Sequence, residues 1–280
     1  MPELPEVETT CRGLARVLEG AEIATVEVRR RDLRWPLPVD LQARLQGRTA
    51  LRLTRRAKYI LVHLDDGGCW LVHLGMSGRM IVEPAGQNAE SRRDAPHVHV
   101  MVTTTAGDLV LYQDPRRFGS MDWIADAAAL ADHPRLKTLG MEPLSDALNG
   151  PALAQMFAGK FAPLKAALLD QRLIAGLGNI YVCEALFRAH LSPFRPAGSL
   201  SAAELEALAR EIRQTLEEAV AAGGSSLRDY VQTDGELGYF QHAWRVYGRE
   251  GEPCRCGAGA TILRHVQAGR STFYCPSCQL

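Results

Sequence analysis

Four cysteines near the C-terminal end of the sequence have the spacing of metal ligands. They form two pairs, Cys254-Arg255-Cys256 and Cys275-Pro276-Ser277-Cys278. Four thiolates can hold one zinc ion in a closed tetrahedral site that leaves no open catalytic position. In a chain with cytosolic character, clustered cysteines indicate metal ligands before disulfides or free thiols. We therefore predict one structural Zn²⁺, although a single residue within the first pair restricts how its two sulfurs wrap a metal.

A second possibility for chemistry lies at the start of the chain, where Pro2 precedes Glu3. If Met1 is removed, Pro2 presents a secondary amine, and an α-amine has a pKa of about 8 against about 10.4 for lysine. A larger share of this amine is therefore neutral and nucleophilic at pH 7. With a sugar aldehyde it would form an iminium ion, which has no N–H to lose and acts as an electron sink. Most prolines at position 2 have no such role, so this prediction depends on the rest of the sequence.

The residues that follow predict the helix that must position Pro2 and Glu3. Pro5 suits the first turn of a helix, where its missing N–H costs nothing. Glu6 and Glu8 place negative charge at the positive end of the helix dipole. Gly20 is a typical residue to end the helix. The predicted buried face repeats at helical spacing and comprises Val7, Cys11, Leu14 and Leu18.

Length and charge limit the possible classes of protein. The chain has 280 residues, of which 46% are hydrophobic, enough for two domains and a small appendage. No apolar run approaches a membrane span and no secretory signal is visible. The 32 basic residues balance 32 acidic ones, but the charges are segregated. Ten Lys or Arg and two Asp lie between Arg29 and Lys58, whereas three Arg and eight acidic residues lie between Ser201 and Phe240. Such segregation is typical of a groove that binds phosphates.

The first half of the chain has the pattern of a β protein. Residues 59–64 and 69–74 are joined by the turn Asp65-Asp66-Gly67-Gly68, which predicts a hairpin. Residues 97–102 alternate, turn at Ala106-Gly107-Asp108 and return as residues 109–112, which predicts a second one. Several short strands with such turns indicate a sandwich or a barrel. Residues 83–96 are polar and predicted to form a loop, and the stretch from His133 to Pro151 is predicted to be a linker.

The second half has a helical pattern. Residues 164–172 and 180–189 predict two helices around a glycine-rich turn at 176–179. Ser201 and Glu204 form a capping box ahead of an amphipathic helix that ends at Gly223-Gly224. The glycine-rich turn lacks the third glycine of a dinucleotide fingerprint, because that position is Tyr181. A helix N-terminus at Asn179 can still bind a phosphate. A plain helix-turn-helix packing unit is the alternative.

Two further loops could enter DNA. One carries Met76 within His73-Leu74-Gly75-Met76-Ser77-Gly78, and the other carries Arg116 and Phe118 within Asp114-Pro115-Arg116-Arg117-Phe118-Gly119. Exposed side chains of these types could fill the space that an extruded base leaves in a duplex. Spacing alone favours the alternative that Met76 and Phe118 are core residues.

Taken together, these motifs resemble those of the bacterial formamidopyrimidine-DNA glycosylase family, which repairs 8-oxoguanine. The related endonuclease VIII family usually has Gly where this chain has Leu4. In the family the first cysteine pair usually has two intervening residues. This chain has one residue fewer there, so the local geometry around these cysteines should differ from that of the family. The motifs occur in the family's order over nearly the whole chain: Pro2-Glu3-Leu4-Pro5-Glu6-Val7-Glu8-Thr9, Arg56-Ala57-Lys58-Tyr59, residues 73–78, residues 114–119, Gly178-Asn179-Ile180-Tyr181 and residues 267–275.

The resemblance implies an α+β multidomain fold. Residues 1–132 would form a two-layer β-sandwich with an N-terminal helix, and residues 133–150 a linker. Residues 151–244 would form a helical helix-two-turn-helix domain, in which a loop at about 225–240 closes on the flipped base. Residues 245–280 would form a zinc β-hairpin, and DNA would lie in the cleft between the domains.

The resemblance also implies roles for single residues. Pro2 would be the nucleophile, Glu3 the proton donor, and Lys58 and Arg270 would assist elimination and bind phosphates. Three residues would fill the void left by the base, namely Met76, Arg116 and Phe118. Four others would contact the DNA backbone, namely His73, His97, Lys160 and Asn179. Glu3 stands before a helix N-terminus, which favours its ionised form, whereas a general acid needs its proton.

The implied activity is that of a bifunctional DNA glycosylase and AP lyase, acting in base excision repair on duplex DNA with oxidised purines or abasic sites. A cytoplasmic, nucleoid-associated monomer with no membrane partner is expected. One alternative is a non-catalytic, zinc-dependent protein that binds damaged DNA on the same scaffold. Another is an N-terminal-proline tautomerase for small keto acids, in which neither the cysteine pairs nor the segregated arginines would have a purpose.

Overall fold

The computed structural model of the chain describes residues 1–86, 92–226, 230–257 and 259–280. Two compact units can be distinguished. Unit 1 consists of Met1–Lys137 together with Ala222–Gln241. Unit 2 consists of Thr138–Ala221 together with His242–Leu280. The predicted domain boundaries at residues 132, 150 and 244 remain a prediction, and they differ from this division because residues 222–241 pack within unit 1.

Helix α1 (Leu4–Leu18) forms where the N-terminal motif predicts a helix. Glu3 is its N-cap and forms a reciprocal capping box with Glu6. The predicted apolar face is buried at Val7, Cys11, Leu14 and Leu18. Chain reversal after the helix uses Gly20, whose φ is +78°. The helix thus places Pro2 and Glu3 at a rigid, well-capped end.

Unit 1 is built on a β-sandwich, as predicted. Within its described residues, one sheet has the order β1-β6-β7-β5 and the other the order β2-β3-β4-β8, and every neighbouring pair is antiparallel. Helix α2 (Leu41–Leu45) packs beside β1. The strands are β1 (Ile23–Val28), β2 (Ala50–Arg56), β3 (Tyr59–Leu64), β4 (Cys69–His73), β5 (Arg79–Glu83), β6 (Val98–Thr104), β7 (Leu109–Gln113) and β8 (Ser120–Ile124).

The sandwich core follows from the alternation of each strand. Every second residue points to the space between the sheets, so both sheets contribute to one buried cluster that helix α1 also enters. The predicted hairpins between β3 and β4 and between β6 and β7 are confirmed, with Gly67 and Gly107 at positive φ in their turns. The strands contribute to this core Ile60, Val62, Trp70, Val72, Val100, Val102, Val110 and Tyr112.

The segment Ala222–Gln241 joins unit 1 at two places. The Val82 N–H on the free edge of β5 donates to the Thr233 carbonyl at 2.7 Å. The Ser225 N–H donates to a Glu6 carboxylate oxygen at 2.8 Å, so the segment also reaches the first turn of α1. Of the loop predicted at about 225–240, residues 227–229 lie outside the described residues, as do residues 87–91 of the loop predicted at 83–96.

Unit 2 is helical and ends in a β-hairpin. The helix predicted for residues 164–172 ends earlier, at Leu169, because the Asp170 carboxylate accepts the Arg172 N–H at 3.0 Å and starts a turn. The predicted capping box is present, with the Ser201 N–H donating to Glu204 at 2.7 Å. The elements are α3 (Gly150–Phe157), α4 (Leu164–Leu169), α5 (Asn179–Arg188), α6 (Ala202–Ala221), β9 (Leu263–Gln267) and β10 (Arg270–Tyr274).

Among the helices of the described residues, none is both long and apolar enough to cross a membrane.

Candidate active site and metal centre

The N-terminal end of α1 holds Pro2 and Glu3 in fixed, buried positions. The Glu3 backbone N–H donates to a Glu6 carboxylate oxygen at 2.7 Å, and the Val7 N–H donates to the Glu3 carbonyl at 3.1 Å. Glu3 is only 4% exposed, and Pro2 is buried as well. With Met1 attached the Pro2 nitrogen is an amide, so the predicted nucleophilic role requires removal of Met1. The second oxygen of Glu6 binds Ser225, and Glu6 thus connects the start of α1 to the segment before the predicted loop.

Lys58 is in unit 1, at the tight turn between β2 and β3. The register pairs Arg56 with Tyr59, so the turn consists of Ala57 and Lys58 alone. Ala57 has a positive φ of 53°, and Lys58 is only 8% exposed. The two-residue turn therefore fixes the position of the Lys58 backbone, from which the side chain extends.

Arg270 is in unit 2, where it is the first residue of β10 and is exposed. The turn before it contains Ala268 and Gly269, both with positive φ, as type I′ hairpins require. The next residue, Ser271, has a carbonyl that accepts hydrogen bonds from Lys165 Nζ and Asn179 Nδ2, both at 2.9 Å. Two side-chain donors, the buried Lys165 and the half-buried Asn179, therefore fix the strand directly after Arg270.

The two loops predicted to fill the void in DNA are joined around Asp114. This fully buried carboxylate accepts hydrogen bonds from Ser77 Oγ at 2.6 Å, Tyr112 OH at 3.0 Å and the Gly119 N–H at 2.8 Å. The Arg116 N–H donates to Ser77 Oγ at 3.1 Å, which links the second loop to the first. One carboxylate thus holds both loops in a single arrangement.

The side chains on these loops are not core residues. Met76 is 37% exposed and Phe118 is 38% exposed, so the alternative that spacing alone favoured is wrong. The Arg116 guanidinium lies 4.8 Å from the centre of the Phe118 ring, in cation–π geometry. An open pocket with a volume of about 520 Å³ adjoins Arg116 and Phe118. It is lined by Asp32, Leu33, Arg34, Arg116, Arg117 and Phe118.

The predicted backbone-contacting residues are divided between the units. In unit 1, His73 Nδ1 accepts the Gly75 N–H at 3.0 Å, and its ring lies 4.7 Å from that of Tyr59. Burial, together with the nearby cation of Lys58, lowers the pKa of His73 to about 4. His97 is exposed with a φ of 68°, and its carbonyl accepts the Asp114 N–H at 3.0 Å.

In unit 2, Lys160 lies on the loop between α3 and α4, where its carbonyl accepts the Gly198 N–H at 2.9 Å. Asn179 is the first residue of α5, as predicted, and follows Gly178 at the N-cap position. Its amide nitrogen binds the Ser271 carbonyl, so this side chain already has an intramolecular role.

The four predicted cysteine ligands converge in unit 2. Their sulfur atoms all lie within 4.8 Å of one another, with Cys254 Sγ 4.0 Å from Cys278 Sγ and Cys256 Sγ 3.9 Å from Cys275 Sγ. Burial opposes ionisation at Cys275, but the backbone N–H groups of Ser277 and Cys278 lower its pKa to about 7. The shortened first pair therefore still allows a four-thiolate cluster able to hold a metal ion.

Sequence reasoning missed the contacts by which several buried residues support these sites. Glu6, Asp114 and Lys165 are each at most 2% exposed and connect segments far apart in the chain. Lys165 carries a detectable signal, because it stands among apolar residues on a buried helix face beside Leu164 and Leu168. A charged residue on such a face needs a partner, here Thr272 Oγ1 at 2.7 Å. The partner itself is not evident from the sequence.

A β-sandwich that carries an N-terminal proline helix, with a helix-two-turn-helix unit and a four-cysteine hairpin, defines a class of DNA glycosylases. Residues 1–121 match the family described as the formamidopyrimidine-DNA glycosylase N-terminal domain, and residues 139–231 match its H2TH domain. The chain belongs to the formamidopyrimidine-DNA glycosylase family.

Relatives and solved structures are similar over essentially the whole chain. The formamidopyrimidine-DNA glycosylases of Beijerinckia indica and Gluconobacter oxydans are 56% and 55% identical over 100% of both chains. The MutM (Fpg) protein of Thermus thermophilus is 43% identical, with a TM-score of 0.85 over 99% of this chain and 98% of that one. Lactococcus lactis Fpg bound to DNA with an abasic site is 31% identical, with a TM-score of 0.87 over 99% of both chains.

Proposed function

We propose that this protein excises oxidised purines, 8-oxoguanine and formamidopyrimidines, from duplex DNA and then cleaves the strand at the abasic site. The main support is the buried Pro2-Glu3 pair at the capped start of α1, in a chain similar to named glycosylases over its full length. Relatives bound to abasic and Fapy-dG DNA support damaged duplex DNA as the partner. The non-catalytic alternative is not favoured, because the full-length relatives are named as enzymes.

The reaction begins at the Pro2 amine once Met1 has been removed. Its nitrogen bonds to C1′ of the damaged nucleotide while the bond from C1′ to the base breaks. The base departs with that electron pair and takes up the proton that the Pro2 nitrogen loses. Glu3 protonates O4′ as the sugar ring opens, which leaves an iminium ion between Pro2 and C1′. No separate cofactor is needed, because the iminium itself accepts electrons.

Strand cleavage follows from the same intermediate. Removal of a proton at C2′ sends an electron pair towards the iminium, and the 3′ phosphate leaves by β-elimination. A second elimination releases the 5′ phosphate, and hydrolysis of the iminium regenerates Pro2. Lys58 and Arg270 assist these eliminations and bind the phosphates as they acquire charge.

The remaining predicted residues hold the DNA. Met76, Arg116 and Phe118 fill the space left by the extruded base, on loops that Asp114 braces together. The backbone contacts come from His73, His97, Lys160 and Asn179. We propose that the protein acts as a monomer on chromosomal DNA in the cytoplasm.

We further propose that the ion held by the four cysteines is Zn²⁺ in a structural role. Four sulfur ligands at these separations suit tetrahedral zinc and leave no position open for a substrate. The four cysteines would hold the ion at the base of the hairpin that carries Arg270, and the bound ion would cross-link that base.

Borohydride trapping tests the proposed function. Incubation with duplex DNA containing 8-oxoguanine opposite cytosine should give a covalent adduct, and peptide mass analysis should locate it on Pro2. Pro5→Ala should still form the adduct, because Pro5 serves only the helix start, whereas a chain that retains Met1 should form none. An adduct on a lysine, or no adduct with folded, DNA-binding protein, would rule out the proposed mechanism.

A further inference from the structure

The turn that carries Lys58 is in a conformation that its own sequence disfavours. Ala57 and Lys58 form a two-residue hairpin loop, and the first position has a φ of 53°. Glycine is the usual residue at such a position, because a Cβ atom crowds the backbone there. An alanine keeps this conformation only when the surroundings hold it.

Arg55 supplies that hold from the strand before the turn. Its Nη1 donates to the Ala57 carbonyl at 2.8 Å, and its Nε donates to Glu8 Oε2 at 2.8 Å. The Arg55 side chain is only 9% exposed, and that of Glu8 is 20% exposed. Little solvent therefore competes with this pair, unlike an ion pair at an open surface.

Glu8 connects the turn to the helix that bears the proposed nucleophile. It belongs to α1, about one turn from the helix start, and its other oxygen accepts a hydrogen bond from Arg12 at 2.7 Å. The Arg12 side chain is 66% exposed, so Arg12 approaches Glu8 from solvent. A continuous path thus runs from α1 through Glu8 and Arg55 to the Ala57 carbonyl, next to Lys58.

We propose that Glu8 and Arg55 are positioning residues for Lys58, which set its turn in register with the α1 end that carries Pro2. The proposal rests on the function proposed above for Pro2 and Lys58. Neither residue need touch DNA for this role, because Arg55 acts through its hydrogen bonds to Glu8 and to the backbone of the turn. Without this bridge the turn relaxes and Lys58 leaves the place where it assists elimination.

The test separates the two stages on a duplex with a preformed abasic site. Arg55→Met should still form the borohydride adduct on Pro2, since α1 remains intact. The yield of β- and δ-elimination products should fall about ten- to a hundredfold, the range expected for a displaced catalytic group. Lys58→Ala gives the reference value for complete loss of the lysine, and Arg12→Ala is the matched control, expected to eliminate like wild type.

A second substitution distinguishes positioning from general damage. Adding Ala57→Gly to Arg55→Met removes the Cβ atom that crowds the turn at positive φ. The turn can then keep its conformation without Arg55, so elimination should recover severalfold. A loss caused by general damage to the fold would not recover. If Arg55→Met does not fold by circular dichroism, Glu8→Gln weakens the same bridge more mildly and should lower elimination in the same direction.

Three results would overturn the proposal while leaving the proposed function intact. They are wild-type elimination in Arg55→Met, equal loss in Arg12→Ala, and no recovery on adding Ala57→Gly. Absence of a Pro2 adduct in the wild-type protein would instead contradict the proposed function itself.

Discussion

At the scale of single residues, a backbone hydrogen bond decides which ring nitrogen of His73 can donate a hydrogen bond. Its Nδ1 accepts the Gly75 N–H, so the neutral ring carries its hydrogen on Nε2. Burial and neighbouring cations keep the ring neutral by lowering its pKa to about 4. A contact from His73 to a phosphate would therefore be a hydrogen bond from a neutral donor, without the charge of an imidazolium.

This titration has a consequence for stability. A histidine in the unfolded chain has a pKa of about 6.5, so between about pH 6.5 and 4 the unfolded state binds a proton that the native state does not. The native state consequently loses stability as the pH falls through this window. We expect His73→Gln to reduce the loss of unfolding free energy between pH 7 and pH 5 by on the order of 1 kcal/mol.

Urea unfolding of both proteins at the two pH values measures this difference. Tryptophan fluorescence is a suitable signal, because Trp35, Trp70 and Trp123 all lie in unit 1. His265→Gln on the exposed β9 strand serves as the control and should keep the wild-type pH dependence. An unchanged dependence in His73→Gln would show that the ring titrates alike in both states.

At the scale of elements, helix α5 organises unit 2 through Glu184. This carboxylate is fully buried and accepts the backbone N–H groups of Arg245, Val246 and Tyr247 at 2.9, 3.0 and 2.9 Å. It thereby anchors the chain just before the cysteine hairpin. The nearby core includes Cys183, Phe187 and Ile262.

We expect Glu184→Gln to lower the free energy of unfolding by about 1–3 kcal/mol. In the variant an amide NH₂ would face a backbone N–H that in the wild type donates to a carboxylate oxygen. Thermal unfolding checks this value. Asp146→Asn is a matched change in the same unit, where a fully exposed carboxylate pairs with Arg213, and should cost less than about 1 kcal/mol. Equal effects of the two substitutions would contradict the anchoring role.

At the scale of the whole molecule, each unit has a hydrophobic cluster of its own. The sandwich cluster consists of unit 1 residues, whereas Cys254 and Cys275 belong to a cluster of unit 2 with Val246 and Ile262. Metal binding and folding are coupled within the part that holds the ligands. Loss of the ion should therefore act on unit 2 and leave the sandwich folded.

Cys275→Ser tests this separation. We expect the bound metal to be lost and the affinity for damaged duplex DNA to fall, while a protease-resistant fragment of unit 1 persists. Metal analysis, a binding titration and limited proteolysis measure these three quantities. Cys11→Ala, a buried cysteine of α1 outside the cluster, should keep the metal. Unchanged DNA binding after metal loss would contradict the role proposed for the hairpin.

Local patterns were sufficient for much of the fold. The start of α1, the capping box at Ser201 and the hairpin turns at Gly67 and Gly107 each depend on residues within a few positions of one another. The cysteine pairs likewise carry a chemical meaning in their spacing alone. The end of α4 was mispredicted because a side-chain turn at Asp170 competes with helix continuation.

By itself the sequence determined most of the elements and the grouping of the four cysteines, because capping, alternation and ligand spacing act over short stretches of chain. The family followed from the resemblance of its ordered motifs. Only the tertiary structure decided that Met76 and Phe118 are exposed, that Asp114 braces both of their loops, and that Glu8 meets Arg55 across 47 positions. These outcomes depend on which distant segments pack together. The burial of a side chain and the partner of a buried charge are properties of that packing.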